Sequence, residues 1–299
     1  MSAAAQPVPG SSPMGRARRI LWRTLKAFYD DQMTQHAAAL TYYGLMSLFP
    51  AVLLGISLLA LIGQYPETYD AIFGYLRDVA PRSAIAPIDD TLRTAFRNKD
   101  SATTAIVVSV LVAFYGTTGV LEAARRALNV VFRSSNGRGF WRRKGIDIVF
   151  TFVLGAMVLS TLVMLFVGGR FADDLFGFMG LGSTAAHVWG IVRWPGAFAV
   201  TTLIFALIYY VTPDVKHRSF KWITPGAVVG VLLWLMASLG FSLYLSNFAN
   251  LNALYGAFTG AIVLVAWLWL TNVALLFGAE LNAAIEREIE PQGEPQAAE

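Results

Sequence analysis

The apolar stretch HAAALTYYGLMSLFPAVLLGISLLALIG, residues 36–63, decides the fold class of this chain. It contains no Asp, Glu, Lys or Arg, and an apolar run of about 18 or more residues is long enough to cross a bilayer as a helix. Its first half is dense in small and aromatic residues, and Pro50 cannot donate a hydrogen bond to the carbonyl of Met46. We therefore expect a transmembrane helix that packs closely and bends near Pro50.

Further apolar runs repeat this pattern along the chain. Of the 299 residues, 56% are hydrophobic and only 14% are charged, against roughly 25% charged in ordinary soluble domains. The sequence therefore predicts an all-α, polytopic membrane protein with six transmembrane helices and additional amphipathic surface helices. The predicted spans are residues 37–63, 103–121, 146–168, 187–211, 223–246 and 254–280.

The lysine and arginine residues outside these spans predict the orientation. Sixteen lie in the N-terminal segment, the 122–145 and 212–222 loops and the C-terminal tail, whereas six lie in the loops on the other side. Because positively charged loops stay in the cytoplasm, both termini are expected there, in a multi-pass membrane protein. The net charge of +4 then follows from topology, and no nucleic-acid partner is needed to explain it.

The segments outside the spans differ in composition. Residues 1–15 and the acidic tail 286–299 are expected to be disordered, and residues 16–35 to form an amphipathic helix at the cytoplasmic membrane surface. Residues 36–285 form the predicted six-helix transmembrane domain. Its long external segment, residues 64–102, has two short amphipathic patterns, which are consistent with a packed cap or with a gate over a substrate path.

Small residues repeat along spans one, five and six. In lipid, helices associate by close backbone approach, which small residues allow, so we expect these spans to pack tightly. A bend near tyrosines and a serine in span one can also open a groove, although a kinked helix that only packs is an equally simple interpretation. The packing positions are Gly44, Ala51, Gly55, Gly226, Gly230, Gly256 and Gly260; the substrate-path candidates are Tyr42, Tyr43, Ser47, Pro50, Arg193, Tyr255 and Glu280.

Ionisable side chains at the span ends are the second kind of candidate, because charge inside a membrane is costly. Glu280 follows an apolar run, and we expect Arg125 or Arg126 to neutralise it. This carboxylate is either half of a structural ion pair or a group that binds protons or lipid headgroups. Arg193 either extends its side chain to the outer surface or contacts an anionic lipid. The cytoplasmic-side polar cluster is predicted to contain His36, Glu122, Arg125, Arg126, Asn129 and Asn282.

Motifs for known catalytic chemistry are missing from the sequence. There is no cysteine, and His36, His187 and His217 are far apart, so thiolate chemistry is excluded and no histidine pair has metal-ligand spacing. Neither a GxxxxGK[ST] phosphate loop nor a GxSxG nucleophile motif occurs. The sequence therefore predicts a protein that is not an enzyme and that uses no metal and no cofactor.

Several blocks of sequence, in order along the chain, resemble the YihY/BrkB family of bacterial inner-membrane proteins, some of which were once labelled ribonuclease BN. The resemblance covers about residues 25–284. The blocks are DDQMTQHAAALTYYGLMSLFP at 30–50, ALNVVF at 127–132, GFWRRK at 139–144, YYVTPDVKHRSFKWITPGA at 209–227 and LYGAFTGAIVLVAWLWLTNVALLFGAELNAAIE at 254–286.

This resemblance implies six helices with both termini in the cytoplasm, and an association with virulence and with transport of envelope lipid or lipopolysaccharide. The leading hypothesis is a transporter, flippase or export factor for a lipid or other amphiphile; ribonuclease activity is not expected. The alternative is a scaffold that binds envelope-assembly proteins without transporting anything. Membrane lipids, such proteins and a second copy of the chain are the expected partners. The family's motif positions are Ala38, Tyr42, Ser47, Pro50, Asn129, Pro213, Gly226, Tyr255, Gly256, Gly278 and Glu280.

Overall fold

The structure, a computed structural model, is mostly helical in the residues that it describes. These are residues 13–62, 118–134, 139–166, 176, 182–214, 224–247 and 258–289, with the side chains of 49–62 not described; no strand occurs among them. The helices are α1 (Pro13–Asp30), α2 (Met33–Ile62), α3 (118–131), α4 (Phe140–Phe166), α5 (Gly182–Val211), α6 (Pro225–Asn247) and α7 (Thr259–Ile289).

Four of these helices are long and apolar enough to cross a membrane: α4, α5, α6 and α7. They agree with the last four spans predicted from the sequence. Helix α2 covers the first predicted span and runs without interruption through Pro50, whose side chain is outside the described set. Most of the predicted span 103–121 and all of the predicted external segment 64–102 lie outside the described residues.

The chain divides into two compact units. The first unit contains α1, the first turn of α2, the second half of α3, all of α4 and α5, the first half of α6 and the second half of α7. The second unit contains most of α2, the start of α3, the second half of α6 and the first half of α7. The first unit is Met1–His36, Arg125–Met236 and Val273–Glu299; the second is Ala37–Ala124 and Ala237–Asn272.

Local sequence explains where several helices start and stop. Between α1 and α2, Gln32 has a φ of 53°, a left-handed conformation that ends one helix and redirects the chain into the next. Arg133, with a φ of 50°, does the same after α3. Helix α6 starts at Pro225, whose fixed φ suits the first helical position, and the Thr224 hydroxyl accepts a hydrogen bond of 3.3 Å from the N–H of Ala227.

The ends of the outermost helices differ from the predicted boundaries. Helix α1 begins at Pro13, inside the segment 1–15 that was expected to be disordered. Helix α7 continues to Ile289, past the predicted start of the tail at 286. Glu288 explains the second difference, because its carboxylate pairs with Arg19 and Arg23 of α1. The last turn of α7 is therefore held by α1, which composition alone did not reveal.

Candidate functional site

The centre of the first unit is a crossing of α6 over α7 at two glycines. A Cβ atom at Gly226 would collide with the carbonyl oxygen of Gly278, and a Cβ at Gly278 would collide with the carbonyl oxygen of Gly226. The fully buried Tyr209 of α5 donates a hydrogen bond of 2.6 Å to the Leu275 carbonyl of α7. Gly226 therefore packs closely against the neighbouring helix, and its partner is Gly278.

Asn282 ties the start of α6 to α7. Its side-chain Oδ1 accepts a hydrogen bond of 2.7 Å from the N–H of Gly226, and its Nδ2 donates one of 2.8 Å to the Thr224 hydroxyl. The first N–H groups of a helix have no partner within the helix, so a side chain from elsewhere can satisfy one of them. Asn282 therefore caps α6 from a neighbouring helix, a role that its place in the predicted polar cluster did not specify.

A buried ion pair joins α3 to α4. The guanidinium of Arg125 contacts the carboxylate of Asp147, and only 3% and 7% of the two residues, respectively, are exposed. We expected Arg125 or Arg126 to neutralise Glu280. For Arg125 this prediction was wrong, because its guanidinium pairs with Asp147. Asp147 lies near the start of α4, where it reaches Arg125; sequence distance to Glu280 gave no information on this choice.

Asn129 fastens the end of α3 to the turn after α5. Its Oδ1 accepts a hydrogen bond of 2.8 Å from the backbone N–H of Asp214, and its Nδ2 lies 3.4 Å from the Asp214 carboxylate. Ser134 adds a hydrogen bond of 2.5 Å to the Asp214 carbonyl. Asp214 and the preceding Pro213 are both buried, so this connection between helices is shielded from water.

Glu280 is the most deeply buried charged side chain among the described residues, with none of its surface exposed. Neither of its carboxylate oxygens has a hydrogen-bond donor among the described residues. The carboxyl group of Asp31, in the turn between α1 and α2, is close enough to interact with it by charge and by hydrogen bonding. Arg133 and Arg287 also act on it electrostatically. Two acidic groups are therefore adjacent at this point.

The surroundings of this acidic pair are defined by three basic side chains. Arg133 Nη2 lies 3.5 Å from Asp31 Oδ1, but the Arg133 side chain is 68% exposed. Arg287 Nη2 donates a hydrogen bond of 2.6 Å to the carbonyl of Val131. His36, half-buried in the first turn of α2, interacts electrostatically with Asp31. The carboxylate of Glu280 thus has positive charge nearby without a described donor of its own.

The substrate-path candidates of the second unit lie at the start of α2. Tyr42 is 58% exposed, and its ring meets the ring of Tyr43 edge to face at a centroid distance of 5.3 Å. The Ser47 hydroxyl donates a hydrogen bond of 2.9 Å to the Gly44 carbonyl of its own helix. Tyr43 packs against Gly119 so closely that a Cβ there would lie 2.5 Å from the ring. Tyr42 is the more accessible of the two tyrosines.

Polar contacts between helices also occur deeper in the second unit. The amide Nδ2 of Asn272 donates a hydrogen bond of 3.1 Å to the Thr41 hydroxyl, which joins α7 to α2. The indole N–H of Trp267 donates one of 3.2 Å to Ser238, which joins α7 to α6. These contacts hold neighbouring helices together where lipid offers no hydrogen-bond partner.

The remaining predicted site residues are distributed more widely. Among the described residues, no atom lies within 4 Å of a Cβ added at Gly44 or Gly260, whereas one at Gly230 would be 3.1 Å from the Phe205 ring. Arg193 is half-buried, with its guanidinium 5.2 Å from the Trp194 ring centre. Glu122 is half-buried and Arg126 is exposed; Ala51, Gly55, Tyr255, Gly256 and Pro50 are outside the described side chains.

Sequence reasoning missed several members of the site. Asp31, Arg133 and Asp214 are charged residues in loops, where charge is ordinary, so nothing in their local pattern indicates burial or contact. Arg287 was placed in the disordered tail. The one useful signal is that Asp31 and Asp214 both fall within the sequence blocks that carry the family resemblance. No group of three or more metal-ligating side chains occurs in the part of the chain that the structure describes.

Four long apolar helices, with charged and amide side chains buried among the described residues, define this chain as a helical membrane protein. The family model described as Virulence factor BrkB matches residues 24–299. The chain belongs to this family, as its sequence blocks indicated.

Individual relatives agree with this membership. The ribonuclease-like protein YfkH of Bacillus subtilis (strain 168) is 29% identical over 84% of this chain and 89% of the relative. A UPF0761 membrane protein of Pseudoalteromonas translucida (strain TAC 125) is 28% identical over 87% of this chain and 83% of the relative. A UPF0761 membrane protein of Xanthomonas campestris pv. campestris is 26% identical over 89% of this chain, which spans 60% of that longer relative. No solved structure matches the chain.

Proposed function

We propose that this protein is a six-span protein of the bacterial inner membrane, with both termini in the cytoplasm, that moves a lipid or other amphiphilic envelope component across or out of the membrane. The observation that carries the proposal is Glu280. This carboxyl group is fully buried within a candidate membrane span and lacks a described hydrogen-bond donor. Ionisable groups in such a position are costly, and they mark substrate or ion pathways in membrane proteins.

Other buried polar side chains of the first unit support this proposal. Arg125, Asp147, Asp214 and Asn282 are all buried in the same unit as Glu280. A helix bundle that serves only as an anchor needs none of these groups, because apolar contacts are sufficient to assemble it. Arg125 and Asp147 neutralise each other, and Asn282 satisfies backbone and hydroxyl groups. Glu280 is the acidic member for which packing supplies no comparable explanation.

Helix α1 supplies a second line of support, because it fits a helix that lies on the membrane surface. One side of it holds Phe28, whose ring centre is 5.9 Å from that of Phe277 in α7. Along the helix Trp22, Leu25 and Tyr29 are exposed, and several arginines lie beside them. Exposed aromatic and aliphatic side chains next to basic ones are typical of binding to anionic lipid headgroups.

The direct test is a lipid-translocation assay with the purified full chain in liposomes. A fluorescent phospholipid is followed from the inner to the outer leaflet, for the wild type and for Glu280→Ala. We expect protein-dependent translocation in the wild type and its loss in the variant. Glu286→Gln is the matched control, because it removes a carboxylate from the exposed side of the same helix and should leave the rate unchanged.

Equal translocation rates in empty liposomes and in liposomes with the wild-type protein, repeated with lipopolysaccharide precursors and with an imposed ion gradient, would contradict the proposal. A rate lowered equally by Glu280→Ala and Glu286→Gln would remove Glu280 from the pathway. In that case the name of the Bacillus subtilis relative would justify an assay for RNA cleavage with the same preparation.

The second candidate function is a scaffold that binds other membrane proteins or a second copy of the chain. It is favoured by the open glycine surfaces at Gly44 and Gly260, where a Cβ meets no described atom within 4 Å. Small open faces of this kind bind partner helices in lipid. If this candidate is correct, Gly44→Leu or Gly260→Leu will reduce self-association measured by cross-linking in liposomes.

A further inference from the structure

We propose that Asp31 and Glu280 form a proton-binding pair, in which one proton is held between the two carboxyl groups. The pair joins the turn between α1 and α2 to the second half of α7, and both residues belong to the first unit. Its role in driving or gating translocation rests on the proposed function; the binding of the proton itself does not.

The hydrogen-bonding needs of the two carboxyl groups favour a shared proton. The carboxyl groups lie within reach of each other, but an ionised carboxylate only accepts hydrogen bonds. Both oxygens of Glu280 and Oδ2 of Asp31 are buried without a donor among the described residues. One proton makes a Glu280 oxygen a donor to Asp31, which remains an acceptor. The second Glu280 oxygen is then part of a neutral carboxyl group, which is less costly to bury than a carboxylate. Paired carboxyl groups that share a proton for this reason are well established in proteins.

The basic side chains near the pair do not supply a described hydrogen-bond donor to Glu280. Arg133 contacts only the other oxygen of Asp31, Oδ1, at 3.5 Å, and its side chain is largely in solvent, where charge is screened. Arg287 directs Nη2 to the carbonyl of Val131. His36, on α2, faces Asp31. These groups reduce the repulsion between the carboxylates, but none of them is a described hydrogen-bond donor to Glu280.

The oxygen atoms of the pair suit a proton better than a metal ion. Sodium, magnesium and calcium ions need several oxygen ligands around them, whereas no cluster of three or more acidic or histidine side chains occurs among the described residues. The positive charges of Arg133 and Arg287 also repel a metal cation. A proton needs only one donor oxygen and one acceptor oxygen, which the pair supplies.

The pair also has a route to water. The Asp31 side chain is 14% exposed, whereas Glu280 is completely buried. A hydronium ion can protonate Asp31 and leave a water molecule, after which Asp31 passes the proton to a Glu280 oxygen and becomes a carboxylate again. Release follows the same steps in reverse. No other reactant is consumed.

The test is infrared spectroscopy of the full chain in lipid nanodiscs during a pH titration. A protonated carboxyl group has its own carbonyl-stretching band, separate from that of a carboxylate. We expect a buried-carboxyl band in the wild type at neutral pH that disappears in Glu280→Gln and shifts in frequency in Asp31→Asn. The exposed residue Glu286 supplies the control, because Glu286→Gln should leave the band unchanged.

A thermal-unfolding series on the same samples checks the result independently of spectral assignment. The bound proton stabilises the folded state, so the Tm of the wild type should fall as the pH rises through deprotonation of the pair. Glu280→Gln, which is neutral and keeps a donor, should remove this pH-dependent part. If Glu280→Gln does not fold, Asp31→Asn carries the test, because removing the partner carboxylate should move the pH at which the Tm falls to a lower value.

Two outcomes would overturn the inference. The first is a wild type with no protonated-carboxyl band at any pH at which it is folded, which would mean that the arginines hold both groups ionised. The second is a Tm that rises with sodium but not with choline, and only when Glu280 is present, which would identify a metal-ion site. A band that behaves as expected in a protein without lipid translocation would support the proton pair and count against the proposed function alone.

Discussion

Helix α4 and residues 274–284 of α7 belong to the same unit. Large apolar side chains are exposed in α4, whereas small and polar residues are buried in the second half of α7. Helix α4 is rich in large apolar residues, and many of them are exposed; Phe152 is 75% exposed and Leu159 63%. The second half of α7 contains four alanines, a glycine, a glutamate and an asparagine, and nearly all of its residues are buried.

The difference reflects the solvent of each surface. In water, large apolar side chains are driven inside, but lipid tails are as apolar as leucine and exert no such force. Bulky apolar residues can therefore face lipid. Small residues are needed where backbones touch, and polar residues are tolerated only where protein surrounds them. In these two segments, small and polar residues are buried in α7 and large apolar residues are exposed in α4. Hydrophobicity by itself therefore does not identify the buried side of a helix in this chain.

The largest expected effect comes from breaking the polar core at its ion pair. Arg125→Ala leaves the Asp147 carboxylate buried without its counter-ion, so we expect a loss of about 3–5 kcal/mol in the free energy of unfolding. Chemical or thermal unfolding of the protein in lipid nanodiscs measures it. Arg126→Ala, at the exposed neighbouring position, is the control and should have little effect.

A double variant makes this prediction more specific. Replacing the pair together, as Arg125→Met with Asp147→Leu, should recover most of the lost stability, because no unpaired charge remains. If the double variant is as unstable as Arg125→Ala, the ion pair has a role beyond neutralising its own charges.

The next effect tests whether small residues define the core. Gly226→Ala places a methyl group against the carbonyl oxygen of Gly278, and neither backbone can move aside easily. We expect a loss of about 1–3 kcal/mol, as for overpacked interiors. On α4, Gly155 has no described atom within 4 Å of a Cβ; Gly155→Ala should therefore preserve or raise the unfolding temperature. Equal losses for the two variants would show that glycine serves backbone flexibility rather than contact.

The last prediction compares a buried leucine with an exposed one. Leu276 is completely buried, whereas Leu159 is mostly exposed. Leu276→Ala should lower the free energy of unfolding by about 2 kcal/mol, the lower end for buried leucines. The loss is at this lower end because lipid, unlike water, also solvates an apolar side chain when the helices separate. Leu159→Ala should stay within about 0.5 kcal/mol. Similar losses at both positions, measured in the same nanodiscs, would mean that α4 is covered by a partner in the membrane.

Much of the fold could be predicted from hydrophobicity. The last four spans follow from apolar length. The surface position of the early helix stays a prediction, and the complete burial of Glu280 was found only in the structure. Small-residue spacing made Gly226 a packing candidate without indicating its contact. The six-span arrangement stays a prediction, since the second span lies mostly outside the described residues.

The pairing of polar groups could not be predicted in the same way. Arg125 was equally available to Asp147 and Glu280, which are 22 and 155 positions away, and one-dimensional periodicity does not rank distant partners. Asp31 and Arg287 were assigned to segments outside the membrane domain, although the structure places them around Glu280. The partner of Gly226 was uncertain for the same reason, as Gly278 was a motif position without a stated contact.

The crossing of Gly226 and Gly278 has a consequence for biogenesis. These residues are 52 positions apart, and Gly278 is in α7, so the crossing cannot form until α7 has been synthesised and inserted. Until then Gly226 and the start of α6 lack both the glycine contact and the cap from Asn282. A chain truncated before α7 would leave these groups unsatisfied in the bilayer, where a membrane protease could recognise it as an incomplete product.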